Sequence, residues 1–240
     1  MTINAENKYF IELNNEVRDA QEQEITIENC IGQRYIGAGM EAKHITIHGV
    51  PGNDLGCYLN GGTLRVKGNA QDETGDTMNE GVIVIEGSSG DATGYAMRGG
   101  KIFVRGNAGY RAGIHMKAYK THQPLVVIGG EAGSFLGEYQ AGGTIIVLGL
   151  DSQKKVPVGS FCGTGMHGGK MYLRCEELPS DLPEQVCAAP ATAEDLAAID
   201  GHLEEFCGYF GVNKQEILSK QFFVLTPNTK NPYKALYTVY

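Results

Sequence analysis

Short apolar segments recur along the chain at a nearly fixed interval. Each has the form apolar–x–apolar–x–Gly, as in Ile45–Gly49, and the interval between successive copies is 19 residues in most cases. Alternation of apolar and other residues with period 2 is typical of a short strand, and the glycine marks the turn that ends it. The first apolar positions of the eight copies are Ile25, Ile45, Leu64, Ile83, Ile102, Val126, Ile145 and Met171.

The length of the repeat indicates how the strands are connected. Nineteen residues are too few for a strand–helix–strand unit, which needs about 30 residues. They suit one coil of an all-β solenoid, in which each strand pairs with the coils before and after it. The pattern therefore predicts two stacked ladders of inward side chains, both entirely apolar. The second ladder comprises Ile27, Ile47, Val66, Ile85, Val104, Ile128, Val147 and Leu173.

Further glycines and a set of methionines recur at the same interval as the apolar segments. A second glycine follows the first by seven positions, as Gly56 follows Gly49, and permits a turn with positive φ. Three residues further on lies a column rich in methionine. A methionine stripe can form a soft metal site, but stacked thioethers that fill a core are the simpler interpretation. The column comprises Met40, Leu59, Met78, Met97, Met116 and Met166.

The segments outside the repeats divide the chain into three predicted parts. Residues 1–24 form an N-terminal segment with helical spacing of apolar residues from Phe10 to Ala20. Residues 25–175 hold the repeats, and residues 176–240 form a helical cap followed by an extended tail.

Two capping patterns predict the helices of the C-terminal part. Thr192–Asp195 is a capping box, and Asn213–Glu216 opens a second, shorter helix. The chain from Phe222 onward is apolar but broken by prolines, which predicts an extended tail. The tail would cover the open end of the repeats or dock onto another subunit or another copy.

Composition excludes several classes of function. The chain has 34 glycines among 240 residues and a formal net charge of −8, which argues against a nucleic-acid partner. It has no apolar run long enough for a membrane span, and its start has no pattern of a signal peptide, so we expect a cytoplasmic protein. Six cysteines without a Cys-x-x-Cys pair are expected to be small core residues: Cys30, Cys57, Cys162, Cys175, Cys187 and Cys207.

The sequence contains few candidates for catalytic or metal-binding residues. His44 and His48 are four residues apart, but a strand does not bring that spacing together. His115 and His167 lie at related positions two coils apart, and we expect ordinary surface or core histidines. We therefore predict no catalytic, cofactor-binding or metal-binding residue. Two insertions into the repeat, residues 117–122 and 152–155, are equally consistent with binding loops and with inert surface.

The glycine pattern resembles the GXGXG repeat domain of glutamate synthase. The resemblance is carried by Gly49–Gly56, Gly68–Gly75, Gly106–Gly113 and Gly130–Gly143, and the segment Ile27–Arg34 is similar to the entry segment of that domain. It implies a single-stranded, right-handed parallel β-helix, here with about seven coils of 19 residues and a small helical C-terminal extension. The tail from Phe222 to Tyr237 resembles that of the stand-alone form of the domain.

The resemblance also implies a role within a complex. In glutamate synthase the β-helix has no catalytic residue, a class II amidotransferase domain releases ammonia from glutamine, and a separate domain holds FMN and an iron–sulfur cluster. We therefore expect a non-catalytic scaffold subunit of a glutamate synthase-type oxidoreductase in glutamate biosynthesis. Its expected partners are a flavin-containing synthase subunit and a class II glutamine amidotransferase subunit, and we expect no cofactor in this chain.

Other assemblies use similar chains. Related β-helix chains occur as the C subunit of formylmethanofuran dehydrogenase and in N-methylglutamate synthase, and the repeat does not separate these complexes. A third hypothesis is a self-sufficient β-helix enzyme, for example a trimer with zinc at His115 and His167. The sequence does not determine the ammonia acceptor of the complex, the face of this chain that binds partners, or the oligomeric state.

Overall fold

The computed structural model describes residues 1–228. The predicted tail beyond Asn228, with its tyrosines, lies outside the described residues. The helices are α1 (Phe10–Asp19), α2 (Ala193–Phe210) and α3 (Lys214–Leu218). The strands are β1 (Thr2–Asn4), β2 (Glu24–Ile31), β3 (His44–Val50), β4 (Asn60–Val66), β5 (Glu80–Ile85), β6 (Lys101–Val104), β7 (Leu125–Ile128), β8 (Ala141–Val147), β9 (Gly168–Arg174), β10 (Val186–Pro190) and β11 (Phe222–Pro227).

All these strands belong to one mixed sheet of 11 strands. Strands β1 to β9 follow one another in chain order and pair in parallel. Strand β11 then pairs antiparallel with β9, and β10 pairs antiparallel with β11. The sheet is open, because β1 and β10 form its two edges.

The predicted fold class is therefore wrong. We expected an all-β, right-handed parallel β-helix of about seven coils, and the structure is an open, mostly parallel sheet with helices packed against it. The physical reason lies in the second half of each repeat. Its residues have positive φ at alternate positions, as at Asp54, Gly56 and Tyr58, and such backbone cannot form a strand. Each repeat therefore contributes one strand to the sheet and one turn beneath it.

The predicted register of the strands is confirmed. Ile25 pairs with Ile45, Ile45 with Leu64, and the same alignment continues through every parallel strand to Met171. The second ladder, from Ile27 to Leu173, is aligned in the same way, and both ladders are buried. Burial of each such aliphatic side chain contributes roughly 1.5–3 kcal/mol, so this core holds the sheet to the layer beneath it.

That layer consists of the turns, which stack on one another. The backbone N–H of Tyr58 donates to Asp76 O of the next repeat at 2.8 Å, whereas that of Gly56 donates to Ile36 O of the previous repeat at 2.9 Å. The methionine column lies between the turns and the sheet as predicted, with Met78 and Met97 fully buried.

In a later repeat, the position equivalent to Met78 and Met97 is polar. Gln140 is fully buried, and its amide nitrogen donates to the carbonyls of Gly142 and Gly143. These bonds satisfy the buried donor within its own turn.

Helix α2 covers the other face of the sheet. Ile199, Leu203 and Phe206 form a second buried cluster with the outward side chains of the sheet, among them Phe103 and Tyr172. This contact fixes α2 over the later strands.

The predicted helix starts are present. Thr192 forms the expected capping box, since its hydroxyl accepts from Asp195 N and the Asp195 carboxylate accepts from Thr192 N. Asn213 caps α3 as predicted. The boundaries of the three predicted parts stay a prediction.

The close approach of neighbouring repeats makes one glycine sensitive to substitution. Gly49 has φ +123° and a Cβ added there would lie 2.1 Å from Cys30 O, so Gly49→Ala must displace backbone. We expect a loss of about 2 kcal/mol or more in the free energy of unfolding. Gly201, in α2 with open space around it, is the matched control, and Gly201→Ala should stabilise by about 1 kcal/mol. Urea unfolding measures both, and a neutral Gly49→Ala would contradict the close approach.

Acidification should weaken the docking of α2. Burial against the sheet, with Lys101 nearby, lowers the pKa of His202, and Glu205 opposes this only in part. The unfolded chain then binds a proton more readily than the folded one, so stability falls as pH drops below the ordinary histidine pKa of about 6.5.

The variant His202→Gln should remove this part of the pH dependence, a change of about 1 kcal/mol or less because the side chain is only partly buried and solvent screens its charge. The measurement is the urea midpoint at pH 7.5 and 5.5, with His44→Gln on exposed β3 as control. Equal pH dependence in the wild type and His202→Gln would contradict it.

Candidate interaction surface on the stacked turns

The outer surface of the stacked turns, here called the turn face, is built from columns of residues at the repeat interval. Two of these columns have positive φ although their members are not glycine, and none of their side chains is fully buried. In the first column these are Tyr35, Asp54, Glu73, Ala92, Arg111, Phe135 and Phe161; in the second they are Tyr58, Thr77, Ala96, His115 and Tyr139.

Aromatic side chains lie along much of the turn face. Tyr58 is 55% exposed, Tyr95 38% and Phe161 51%. The ring of His115 stacks on Tyr139 with centroids 5.2 Å apart, and Phe161 stacks on Phe135 at 4.9 Å. Exposed aromatic rows of this kind are typical of protein interfaces. We call these six residues the aromatic stripe: Tyr58, Tyr95, His115, Phe135, Tyr139 and Phe161.

One ion pair lies within the stripe and neutralises its charge locally. Arg111 Nε lies 2.9 Å from Glu138 Oε2, and the guanidinium carbon lies 5.0 Å from the centroid of the Phe135 ring. The carboxylate of Glu138 is mostly buried and the arginine half-exposed. Arg111 and Glu138 therefore cancel each other's charge at this end of the turn face, where the Asp181 carboxylate, which accepts from the Phe161 backbone N–H at 2.9 Å, adds one negative charge.

The first two repeats along the stripe, beside Tyr58, carry an acidic block on the same face: Asp54, Asp72, Glu73 and Asp76. Burial and the neighbouring Asp76 raise the pKa of Asp54, although Arg34 and a hydrogen bond with Glu73 act the other way. Burial and repulsion by Asp54, Asp76 and Asp72 likewise raise the pKa of Glu73. The carboxylates thus repel one another, and Arg34 offsets only part of that repulsion.

The histidine pairs considered from the sequence do not form metal sites. His44 lies exposed at the start of β3, whereas His48 Nε2 is 3.9 Å from Glu28 Oε1. His115 belongs to the aromatic stripe, and His167 Nδ1 lies 3.0 Å from Gly165 O. Throughout residues 1–228, no group of three or more His, Cys, Asp or Glu side chains is placed to hold a metal ion.

Four of the six cysteines are buried core residues, as predicted, whereas Cys207 is only partly buried and Cys187 is exposed. Burial raises the pKa of Cys30, Cys57 and Cys175 to about 11 and that of Cys162 to about 12. Thiols with such pKa values are poor nucleophiles at neutral pH. Cys187, in edge strand β10, is exposed, which differs from the prediction.

Both insertions fold back onto the repeats. In residues 117–122, His122 Nδ1 lies 3.2 Å from Glu80 Oε1, and Tyr119 and His122 exchange two backbone hydrogen bonds. In residues 152–155, Ser152 and Lys154 bind Glu131, and these bonds lower the pKa of that carboxyl. These contacts give both loops a structural role, and a binding role for them stays untested.

Sequence reasoning did not identify the turn face. The positions were present in the same 19-residue register that revealed the ladders, as the spacing from Tyr58 through Thr77 and Ala96 to His115 shows. The missing knowledge was the backbone conformation of the turns, which leaves the side chains of these columns unburied while Leu55 and Leu59 beside them are buried.

In the part of the chain that the structure describes, no helix is both long enough and apolar enough to span a bilayer.

A family model described as GXGXG motif matches residues 2–228. An uncharacterized protein of Methanocaldococcus jannaschii is 44% identical over 252 residues, which cover 99% of this chain and 96% of the relative. Among solved structures, the crystal structure of a formyltransferase/hydrolase complex from Methylorubrum extorquens, with methylofuran bound, contains a similar chain. The TM-score is 0.59 at 21% identity, and the match covers 91% of this chain and 87% of the other.

The accessibility of the thiols yields a direct test. At pH 7.5 a soluble disulfide reagent should modify Cys187 rapidly, the partly buried Cys207 more slowly, and the four buried cysteines only on the timescale of unfolding, because burial disfavours their thiolates. Cys187→Ser should remove the fast phase, whereas Cys57→Ser should leave it. Fast modification of Cys57 or Cys162 in the wild type would reveal an activated thiol and contradict the burial argument.

Proposed function

Because this chain belongs to the GXGXG motif family, whose model matches residues 2–228, we propose that it is a non-catalytic subunit that assembles with other subunits into an enzyme complex. The observation that carries the proposal is the arrangement of the described residues. It forms one sheet, one layer of stacked turns and the helices that cover them, and its most distinctive exposed feature is the aromatic stripe. Such a surface suits binding to other proteins.

The first candidate is a component of a formylmethanofuran-type complex, equivalent to the C subunit of formylmethanofuran dehydrogenase. The structural likeness to a chain of a formyltransferase/hydrolase complex supports this candidate, since the likeness covers most of both chains. In such a complex this chain would hold catalytic subunits together, and the substrate and any cofactor would bind to those partners.

The second candidate is a scaffold subunit of a glutamate synthase-like complex. It is favoured by the glycine pattern, in particular Gly106–Gly113 and Gly130–Gly143. The partners would then be a flavin-containing synthase subunit with FMN and an iron–sulfur cluster, and a class II glutamine amidotransferase subunit. N-methylglutamate synthase, in which similar chains occur, remains an alternative complex. A cytoplasmic location fits all of these complexes and stays a prediction.

The proposal is tested by purifying the tagged chain from its native host under mild conditions. We expect it to co-purify in fixed stoichiometry with at least one other subunit, which mass spectrometry identifies. Subunits similar to those of the formyltransferase/hydrolase complex would favour the first candidate. A yellow complex with flavin absorbance and a glutamine amidotransferase would favour the second.

The purification also defines what would refute the proposal. The control is the same tag on an unrelated acidic protein of similar size, which removes proteins that bind through charge alone. If the chain is recovered alone at physiological salt, or only with itself, the subunit proposal is wrong. Activity in the isolated chain would also refute it and would favour the self-sufficient enzyme.

A further inference from the structure

The aromatic stripe and the acidic block form one continuous surface. Asp76 and Tyr95 occupy equivalent positions in adjacent repeats, and the backbone N–H of Thr77, beside Asp76, donates to Tyr95 O at 2.8 Å. Tyr58 lies in the same column as Thr77, one repeat earlier, next to the acids. A molecule that covers the stripe therefore also meets the carboxylates.

The two ends of this surface differ in charge. At the aromatic end Arg111 is already paired with Glu138, and Asp181 at the Phe161 backbone adds one carboxylate. At the acidic end four carboxylates lie in two adjacent turns that are hydrogen-bonded to each other, and Arg34 offsets only part of their charge. Burial first and repulsion among these carboxylates second raise the pKa values of Asp54 and Glu73. A cation placed at this end relieves the repulsion, whereas an anion increases it.

From this asymmetry we infer that the turn face docks a segment of a partner subunit that carries at least two Lys or Arg residues beside apolar side chains. The basic residues lie over the acidic block, and the apolar residues pack on the aromatic stripe. This inference rests on the proposed function, since it assigns the surface by which the subunit binds its partner.

Charge also decides against a second copy of this chain as the occupant. The chain has a formal net charge of −8, so two copies repel each other, most strongly if an acidic block lies in the contact. A partner with a basic segment gains both long-range attraction and local pairing.

Two sets of variants test the inference against the partner identified by co-purification, expressed and purified separately. The triple variant Asp54→Asn, Glu73→Gln, Asp76→Asn removes charge from the acidic block. The double variant Tyr95→Ala, Phe161→Ala removes exposed rings from the stripe. We expect each set to weaken the equilibrium affinity at least tenfold, and the triple variant to lose most of the salt dependence that the wild type shows.

Matched control variants separate an effect of the turn face from a general effect of lost charge or lost aromatic side chains. The triple variant Glu22→Gln, Glu184→Gln, Glu194→Gln removes the same charge at positions outside the turn face. The double variant Tyr9→Ala, Tyr119→Ala removes two exposed rings elsewhere. Both should bind within about twofold of the wild type, and circular dichroism with urea midpoints confirms that every variant folds.

The outcomes distinguish this inference from the proposed function. If the wild type binds its partner and the turn-face variants bind equally well, the partner uses another surface and only the inference is wrong. Equal weakening by the control triple, or tighter binding after loss of the acids, would also overturn it. A purified wild type that sediments as a dimer, dissociated by the turn-face variants, identifies a second copy as the occupant and overturns the choice of partner. A wild type without any partner overturns both proposals.

Discussion

Hydrogen bonding between the turns of successive repeats is the constraint on which this structure depends. Each turn lies between the turns of the neighbouring repeats, so the backbone groups that these neighbours cover must find partners in the repeats on either side. Alternate positive φ values achieve this, because Asp54 and Tyr58 donate to the following repeat while Gly56 donates to the preceding one. Left-handed backbone costs about 1–3 kcal/mol at a residue other than glycine. The hydrogen bonds and the buried ladders above the turns hold these residues in that conformation.

The same constraint explains why the candidate surface lies where it does. A turn that bonds both neighbours directs the side chains of its outer columns away from the stack, so residues 19 apart form rows. Acids and aromatic residues occur in the same row, since the row of Asp54 and Glu73 also contains Phe135 and Phe161, so the stripe and the acidic block each draw on more than one row. The exposed side chains of these rows do not belong to the buried ladders. They are therefore free to be selected for a partner, unlike Gly49, whose close contact with Cys30 O admits no side chain.

The sequence predicted the elements that depend on periodicity and failed where the decision depended on backbone conformation. The ladders from Ile25 and Ile27 follow from the repeat alone, and the capping box at Thr192 is a local pattern. The prediction of a β-helix was wrong because a period of 19 residues specifies that the repeats stack but does not specify how many strands each repeat contributes. The turn face was missed for the same reason, since the exposed columns cannot be recognised until the backbone conformation of the turns is known.

One further feature could have been predicted from the outward residues of the strands. Between the two ladders runs a third row, Thr26, Thr46, Arg65, Val84, Phe103, Val127, Ile146 and Tyr172, whose members pair in direct register. It is polar at its start and apolar from Val84 onward. Strands that are apolar on both sides need cover on both faces, and α2 supplies it over the apolar part of the row. The sheet thus has one face held by α2 and one by the stacked turns. The surface left for a partner to cover lies on the outside of the turns, where neither the core nor the helices reach.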